Sequence, residues 1–298
     1  MSVRVVLVDA VGLAPYAAGL RALERDITYP LDDGRDRFWI DHGPDYHPFF
    51  SHMGEAHFLV ALDQDTVVGT VAGVLRTVPH AGATYEVGYA CDLKLAASHR
   101  GRGVARAMLL HGLGQILRTP RFWRWRYAFG AAMRGERGDV MRSARGLHPA
   151  KLFRPDARLR LYFVDRAALS AVEPAGCPPN PTTDGLVLSP SAPGLGIVST
   201  AGRKDLRRVS TGQPWPLVHL THGPHAWPTS LGHYLRAGAE ALGPDDVACF
   251  GLDEQLDAHV AWLAARGLRS DTVCTIYGWR LPGGPRASPW LHLATSEI

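Results

Sequence analysis

One stretch constrains the fold of this chain more than any other. From Cys91 to Leu95 the sequence has the apolar alternation of a strand, and from Val104 to Leu117 it has the apolar spacing of a helix. Between them stands Arg100-Gly101-Arg102-Gly103. A strand that enters a glycine-rich turn and opens directly into a helix leaves the first helical N–H groups without intrahelical partners. With the positive end of the helix dipole they form an anion site, and glycine allows close approach of a ligand to the backbone. Arg100, Arg102 and Arg106 add full charges. No lysine-hydroxyl pair follows the glycines, so a magnesium-nucleotide loop is not indicated. A solvated arginine cluster on a plain turn would show the same Arg-Gly-Arg-Gly. The flanking strand and helix favour the pyrophosphate cradle.

The rest of the chain supplies a sheet for that turn to sit on. Residues 3–8 form a β-branched run, and residues 12–25 carry Leu13, Tyr16, Leu20 and Leu23 at helical spacing. Residues 34–54 show no sustained period and read as short helix and loop. Residues 56–62 and 67–78 read as a hairpin around Asp63-Gln64-Asp65, followed by strands at 85–95, 122–132 and 158–164. A short helix is expected at 138–145. Prolines 174, 178, 179 and 181 mark a linker. Beyond it come short strands at 185–188, 196–200 and 217–220. Helices follow, one capped by Ser230 and one over 253–266 closed by Gly267, and the last strand is 272–280.

The 298 residues are 46% hydrophobic, enough for a substantial core, and no apolar run reaches the length of a membrane span. The first residues read as a strand and not as a cleavable leader, so a cytoplasmic location is expected. Cys91, Cys177, Cys249 and Cys274 form no CxxC pair and are expected as reduced thiols, with no metal site. The net charge of +4 suits an anionic partner.

Arg100-Gly101-Arg102-Gly103-Val104-Ala105 resembles the Q/R-x-x-G-x-G/A signature of the GNAT acetyltransferase superfamily, and the order of elements over roughly the first 165 residues is similar too. The resemblance implies an α+β fold with a mixed, mostly antiparallel sheet. It implies acetyl-CoA as acyl donor and no metal. Leu93, Lys94 and Leu95 would lie along the pantetheine arm, bonding to it as an added strand would. Arg100, Gly101, Arg102, Gly103, Val104, Ala105 and Arg106 would hold the pyrophosphate. Many members carry a tyrosine four residues before a Gly-Phe pair. Here Gly146-Leu147 takes that place and Arg142 replaces the tyrosine, so Tyr127 or a water would protonate the leaving thiolate. Glu86, Tyr89 and Asp92 on the motif strand are candidate bases, each with a structural role equally open, and Asp92 is nearest the thioester. By parity Glu86 and Asp92 share a face.

The second half repeats a strand, helix, Gly267-Leu268 and strand order without a second Arg-x-x-Gly-x-Ala motif. It resembles a degenerate GNAT-like domain of a tandem member. Residues 1–168 are therefore expected to form the acyl-CoA-binding domain and 171–298 a smaller α+β domain that does not bind CoA in the same way. His219, His222 and His225 surround Gly223 and Pro224 and read as loop histidines; His42, His47, His52 and His57 fit no helix or strand face. The arginines between 118 and 145 interleave with Trp123 and Trp125, a pattern also seen in single-strand nucleic-acid binders. Here the tryptophans are expected to pack on one strand face with Tyr127 and Phe129.

The expected activity is transfer of an acetyl group from acetyl-CoA to an amine, on a small molecule or a peptide, by direct attack in a ternary complex. Neither a membrane nor a nucleic-acid partner is expected, and a homo-oligomer is compatible. The competing expectation is a non-catalytic acyl-CoA sensor, or a nucleic-acid-binding module, on the same scaffold.

Overall fold

A computed structural model describes residues 3–31, 35–118, 123–135, 138–139, 154–181, 185–190, 195–222 and 230–298. The chain opens with β1 (Val3–Asp9), α1 (Ala17–Arg25), β2 (Thr28–Leu31), β3 (Asp36–Asp41) and α2 (Pro48–Met53). Next come β4 (Glu55–Asp63), β5 (Thr66–His80), β6 (Ala83–Leu95) and α3 (Val104–Arg118). After these come β7 (Trp125–Gly135), β8 (Gly138–Asp139), β9 (Arg154–Asp165) and α4 (Arg166–Ser170). The second half holds β10 (Leu186–Val187), β11 (Leu195–Val198), β12 (Asp205–Arg208), β13 (Leu217–His222), α5 (Leu231–Ala241) and β14 (Val247–Asp253). It ends with α6 (Asp257–Ala265), β15 (Val273–Arg280) and β16 (Leu291–His292).

One mixed sheet runs through the molecule in the order β1-β4-β5-β6-β7-β15-β9-β14-β13-β11, with β8 attached to β7. Its pairs are antiparallel except β6–β7 and β13–β14. The continuous apolar run of β4 has a simple cause: both of its faces are covered. Phe58, Val60 and Leu62 enter the main core, whereas Leu59 and Ala61 pack with Val104 and Met108 of α3. Gly112 lets α3 lie close, since a Cβ there would come 2.7 Å from a Leu59 methyl. A second core gathers Tyr162, Phe250, Leu235 and Leu263 around α5 and α6.

Several features differ from the sequence expectations. β15 of the second half lies between β7 and β9 of the first, so the division at residues 168 and 171 does not divide the sheet. β3 stands where loop was expected, because it pairs with β2 and with β12, 164 or more residues downstream, a partner no local pattern reveals. Residues 138–139 pair with β7 instead of starting a helix; the rest of that expected helix, and Arg142, Gly146 and Leu147, lie outside the described residues. At the other expected helix, the strand β14 continues to Asp253, whose carboxylate accepts from the N–H groups of Gln255 and Leu291; the helix therefore begins at Asp257. Ser230 precedes α5 as expected but makes no side-chain cap bond.

Candidate functional site

The parallel pairing of β6 with β7 runs from Glu86–Trp125 to Ala90–Gly130 and stops. Beyond it β6 stays on β5, through Lys94–Thr70 and Leu95–Gly69, while β7 stays on β15. The β7-facing edge of residues 91–95 is left without a strand partner among the described residues. A bulge lies just past the point of separation: Asp92 and Leu93 together face Val71, between the pairs Cys91–Ala72 and Lys94–Thr70. Asp92 takes φ +54°, in the left-handed region.

The strand then passes through the turn Ala97–His99 to Gly101 and Gly103, with φ +74° and +80°. Ala107 N–H donates the first helical bond to Gly103 O, so the N–H groups of Val104, Ala105 and Arg106 have no partner inside α3. A Cβ built at either glycine would meet nothing within 4 Å. Arg100, Arg102 and Arg106 are exposed, and Arg100 Nε donates to Leu95 O at 3.1 Å. A strand edge, two left-handed glycines, helix N–H groups without intrahelical partners and three exposed arginines thus follow one another around open space.

The side chains of Asp92 and Lys94 turn the other way, into a buried polar cluster. Lys94 Nζ donates to Asp92 Oδ1 and, at 3.1 Å, to Glu24 Oε1. His42 Nδ1 lies 2.5 Å from Glu24 Oε1, and Tyr46 Oη donates to Asp92 Oδ2. Glu24, His42, Tyr46 and Lys94 are all 2% exposed or less. Burial alone would raise the Asp92 carboxyl, but Lys94, His42 and the hydrogen bonds hold it well below the usual carboxylate range. Burial would lower Lys94, and the two carboxylates raise it instead. Ligand atoms of Glu24, His42 and Asp92 lie within 4.8 Å of one another, but the Lys94 ammonium already bridges both carboxylates, so a metal ion has a competitor in place.

Glu86 and Tyr127 are not brought to Asp92. The bulge breaks the parity on which a shared face depended, and Asp92 contacts Tyr46, of the core that also holds Tyr89 and Cys91. Glu86 sits on the closed stretch of β6, with Arg124 Nε 3.8 Å away. Tyr89, another candidate base, donates its hydroxyl to Glu297 O, and burial pushes its phenol well up. Tyr127 donates to Asp156 Oδ2 at 2.8 Å, and Arg280 binds the same oxygen at 3.0 Å. Burial and Asp156 push the Tyr127 phenol well above its ordinary value. Trp125 packs over Gly88, but Trp123 precedes the strand and is 68% exposed, so the two tryptophans do not share a packed face. Glu24, His42 and Tyr46 are the members of the site that sequence reading missed; Glu24 alone left a signal, a carboxylate in line with Leu20 and Leu23 on the buried face of α1.

The second parallel pair also separates, after His219–Cys249. There the chain's own residue Thr295 lies against both strands: its hydroxyl donates to Cys249 O at 3.2 Å and faces His219 Nδ1 at 3.0 Å. His219 is thus a buried strand residue and not a loop histidine, while His225 lies outside the described residues. A cavity of about 210 Å³ lies in this half, lined by Lys204, Trp215 and Asp246 among others, and not at the cradle.

The sequence pattern of the acetyltransferase (GNAT) family matches residues 21–124. No curated protein sequence matches the chain. Among solved structures, a tandem GNAT protein from the clavulanic acid biosynthesis pathway is similar at a TM-score of 0.50 and 12% identity, covering 94% of this chain and 98% of that one. A probable N-acyltransferase from Enterococcus faecalis is similar at a TM-score of 0.45 and 8% identity, covering 93% and 72%. The first likeness is one of fold: a mixed, mostly antiparallel sheet with a second region of the same type.

Proposed function

We propose that this chain, whose residues 21–124 match the acetyltransferase (GNAT) family pattern, is an N-acyltransferase that moves an acetyl group from acetyl-CoA to an amine. The observation that carries this reading is the cradle. An unpaired strand edge at 91–95 leads directly into two left-handed glycines and the free N–H groups of α3. The backbone of Val104, Ala105 and Arg106, with Arg100 and Arg102, suits a pyrophosphate. The edge of Leu93, Lys94 and Leu95 suits the amide-bearing pantetheine arm as an added strand.

In this reading the amine attacks the thioester carbonyl, the C–N bond forms, the C–S bond breaks and the thiol takes up the proton the amine loses. The chain contributes alignment of the two reactants. Asp92 is a weak proton acceptor because Lys94 and Tyr46 hold it ionised, and Tyr127 is committed to Asp156. Proton transfer then runs through solvent, and the rate follows the acceptor's own deprotonation.

The test is a panel of small-molecule and peptide amines with acetyl-CoA, read as released thiol, beside calorimetry of CoA binding. Binding with turnover supports the enzyme. Binding without turnover across the panel supports the sensor reading. Absence of binding overturns both.

A further inference from the structure

Four non-glycine residues among those described take a left-handed backbone: Tyr46, Gln64, Ala81 and Asp92. Gln64 and Ala81 sit in the tight turns of the β4–β5 and β5–β6 hairpins, where that conformation is ordinary. Tyr46 and Asp92 sit in no hairpin. They are 46 residues apart, and the hydroxyl of one donates to the carboxylate of the other. A left-handed L-residue is strained and persists only where its surroundings over-determine it.

Those surroundings are visible. Asp92 is held through Oδ2 by Tyr46 and through Oδ1 by Lys94. Lys94 is held in turn by Glu24 on α1, and Glu24 by the backbone N–H and the ring of His42. Tyr46 is fixed by rings on three sides, with His42 at 5.0 Å, Phe50 at 5.4 Å and Phe58 at 6.0 Å between centroids. The clamp therefore comes from α1 and from the segment between β3 and α2, and it acts on one peptide of β6. That peptide carries the bulge, and a bulge bends and twists its strand. The separation of β6 from β7 begins at Ala90, two residues before it.

We infer that Tyr46, Lys94 and Glu24 are positioning residues for the acyl donor: by clamping Asp92 in the left-handed conformation they set the kink in β6 that opens its edge to acetyl-CoA. The inference rests on the acetyl-CoA reading above. It gives Asp92 a backbone role in place of a proton-transfer role.

Calorimetry of acetyl-CoA binding and amide hydrogen exchange over residues 91–95 test it together. Tyr46→Phe removes the hydroxyl and keeps the ring. It is expected to weaken acetyl-CoA about ten-fold, the equivalent of the strain no longer offset, and to speed exchange over 91–95. Asp92→Val, which resists the left-handed region, is expected to weaken binding at least as much. Adding Asp92→Gly to Tyr46→Phe supplies a residue that needs no clamp, and is expected to recover affinity to within about three-fold of wild type. A merely structural role for Tyr46 predicts no such rescue. Wild-type affinity in Tyr46→Phe, or a double variant no better than the single, overturns the inference. If the wild-type chain binds no acetyl-CoA, the donor reading itself fails. The exchange measurement then still decides the clamp: unchanged exchange in Tyr46→Phe refutes it, and faster exchange restored by Asp92→Gly retains it as a device of the strand alone.

Discussion

The same methyl group added at two glycines of the cradle region should have opposite effects. Gly103 and Gly114 both look into empty space, with no atom within 4 Å of a built Cβ, so sterics do not separate them. Backbone does. Gly103 has φ +80°, whereas Gly114 lies inside α3 and carries no positive φ. Alanine at 103 must hold a conformation costing roughly 1–2 kcal/mol, or let the turn relax to a conformation the ligand must reverse. The turn is exposed and nothing packs on it, so it takes the second course, and binding must restore the conformation at about that cost, a loss of roughly 5- to 30-fold in affinity. Alanine at 114 replaces a helix-interior glycine and should stabilise by about 0.5–1 kcal/mol, raising Tm by roughly 1–2 °C in a chain of this size, with no change in affinity. Thermal unfolding and acetyl-CoA calorimetry on Gly103→Ala, Gly101→Ala and Gly114→Ala read both quantities. Wild-type affinity in Gly103→Ala and Gly101→Ala would show that the left-handed turn does not hold the ligand, and the cradle would have to be abandoned.

Three further outcomes follow from packing and charge. Glu297 bonds Arg76 at 2.6 Å, both side chains nearly fully buried; Glu297→Ala should cost about 3–5 kcal/mol in urea unfolding, whereas Glu86→Gln, facing exposed Arg124, should cost under about 1. Comparable losses would contradict the difference in burial. His219 and His292 are pushed down to about 3 by burial, so the unfolded chain binds more protons than the folded one below the ordinary histidine value. Stability should fall as pH drops from 7 to 5, by up to about 4 kcal/mol for the two together, and a flat urea-unfolding profile over that range would refute the assignment. Gly278→Ala should destabilise by about 1–3 kcal/mol, because its Cβ would sit 2.1 Å from Asp156 Oδ2 and 2.3 Å from the Tyr127 hydroxyl; a neutral substitution by thermal melt would mean that network is looser than described.

The parts of the fold legible in the sequence are those whose cause is local. The hairpin 55–80 is written in alternation and in Asp63-Gln64-Asp65, and α3 in its apolar spacing and in the glycines before it. What was not legible depends on partners far along the chain. The strand 36–41 lies among aromatic and charged residues with no period of its own, and it becomes a strand because Asp205–Arg208 pairs with it. The placement of Val273–Arg280 between two strands of the first half is likewise a long-range choice. Its residues read as a strand, but nothing in them names Trp125–Gly135 and Arg154–Asp165 as neighbours.

The candidate site divides along the same line, and the division bears on how its chemistry should be read. The turn from Arg100 to Arg106 was legible as a candidate because anion binding at a helix terminus would use backbone groups, which any suitable turn supplies and which glycines announce. Asp92 could be picked out as a carboxylate in an apolar strand, but its role could not, because that role is decided by Tyr46, Lys94 and Glu24. A carboxylate held ionised by a buried ammonium and a phenol is poorly matched to taking a proton near neutral pH. Its hydrogen bonds are well matched to holding a left-handed peptide in place. If the strand edge receives the acyl donor, catalysis depends on where that edge lies. The residues that fix it then lie outside the Arg100–Ala105 motif: a glutamate on the buried face of α1, a tyrosine before α2 and a lysine on β6 itself.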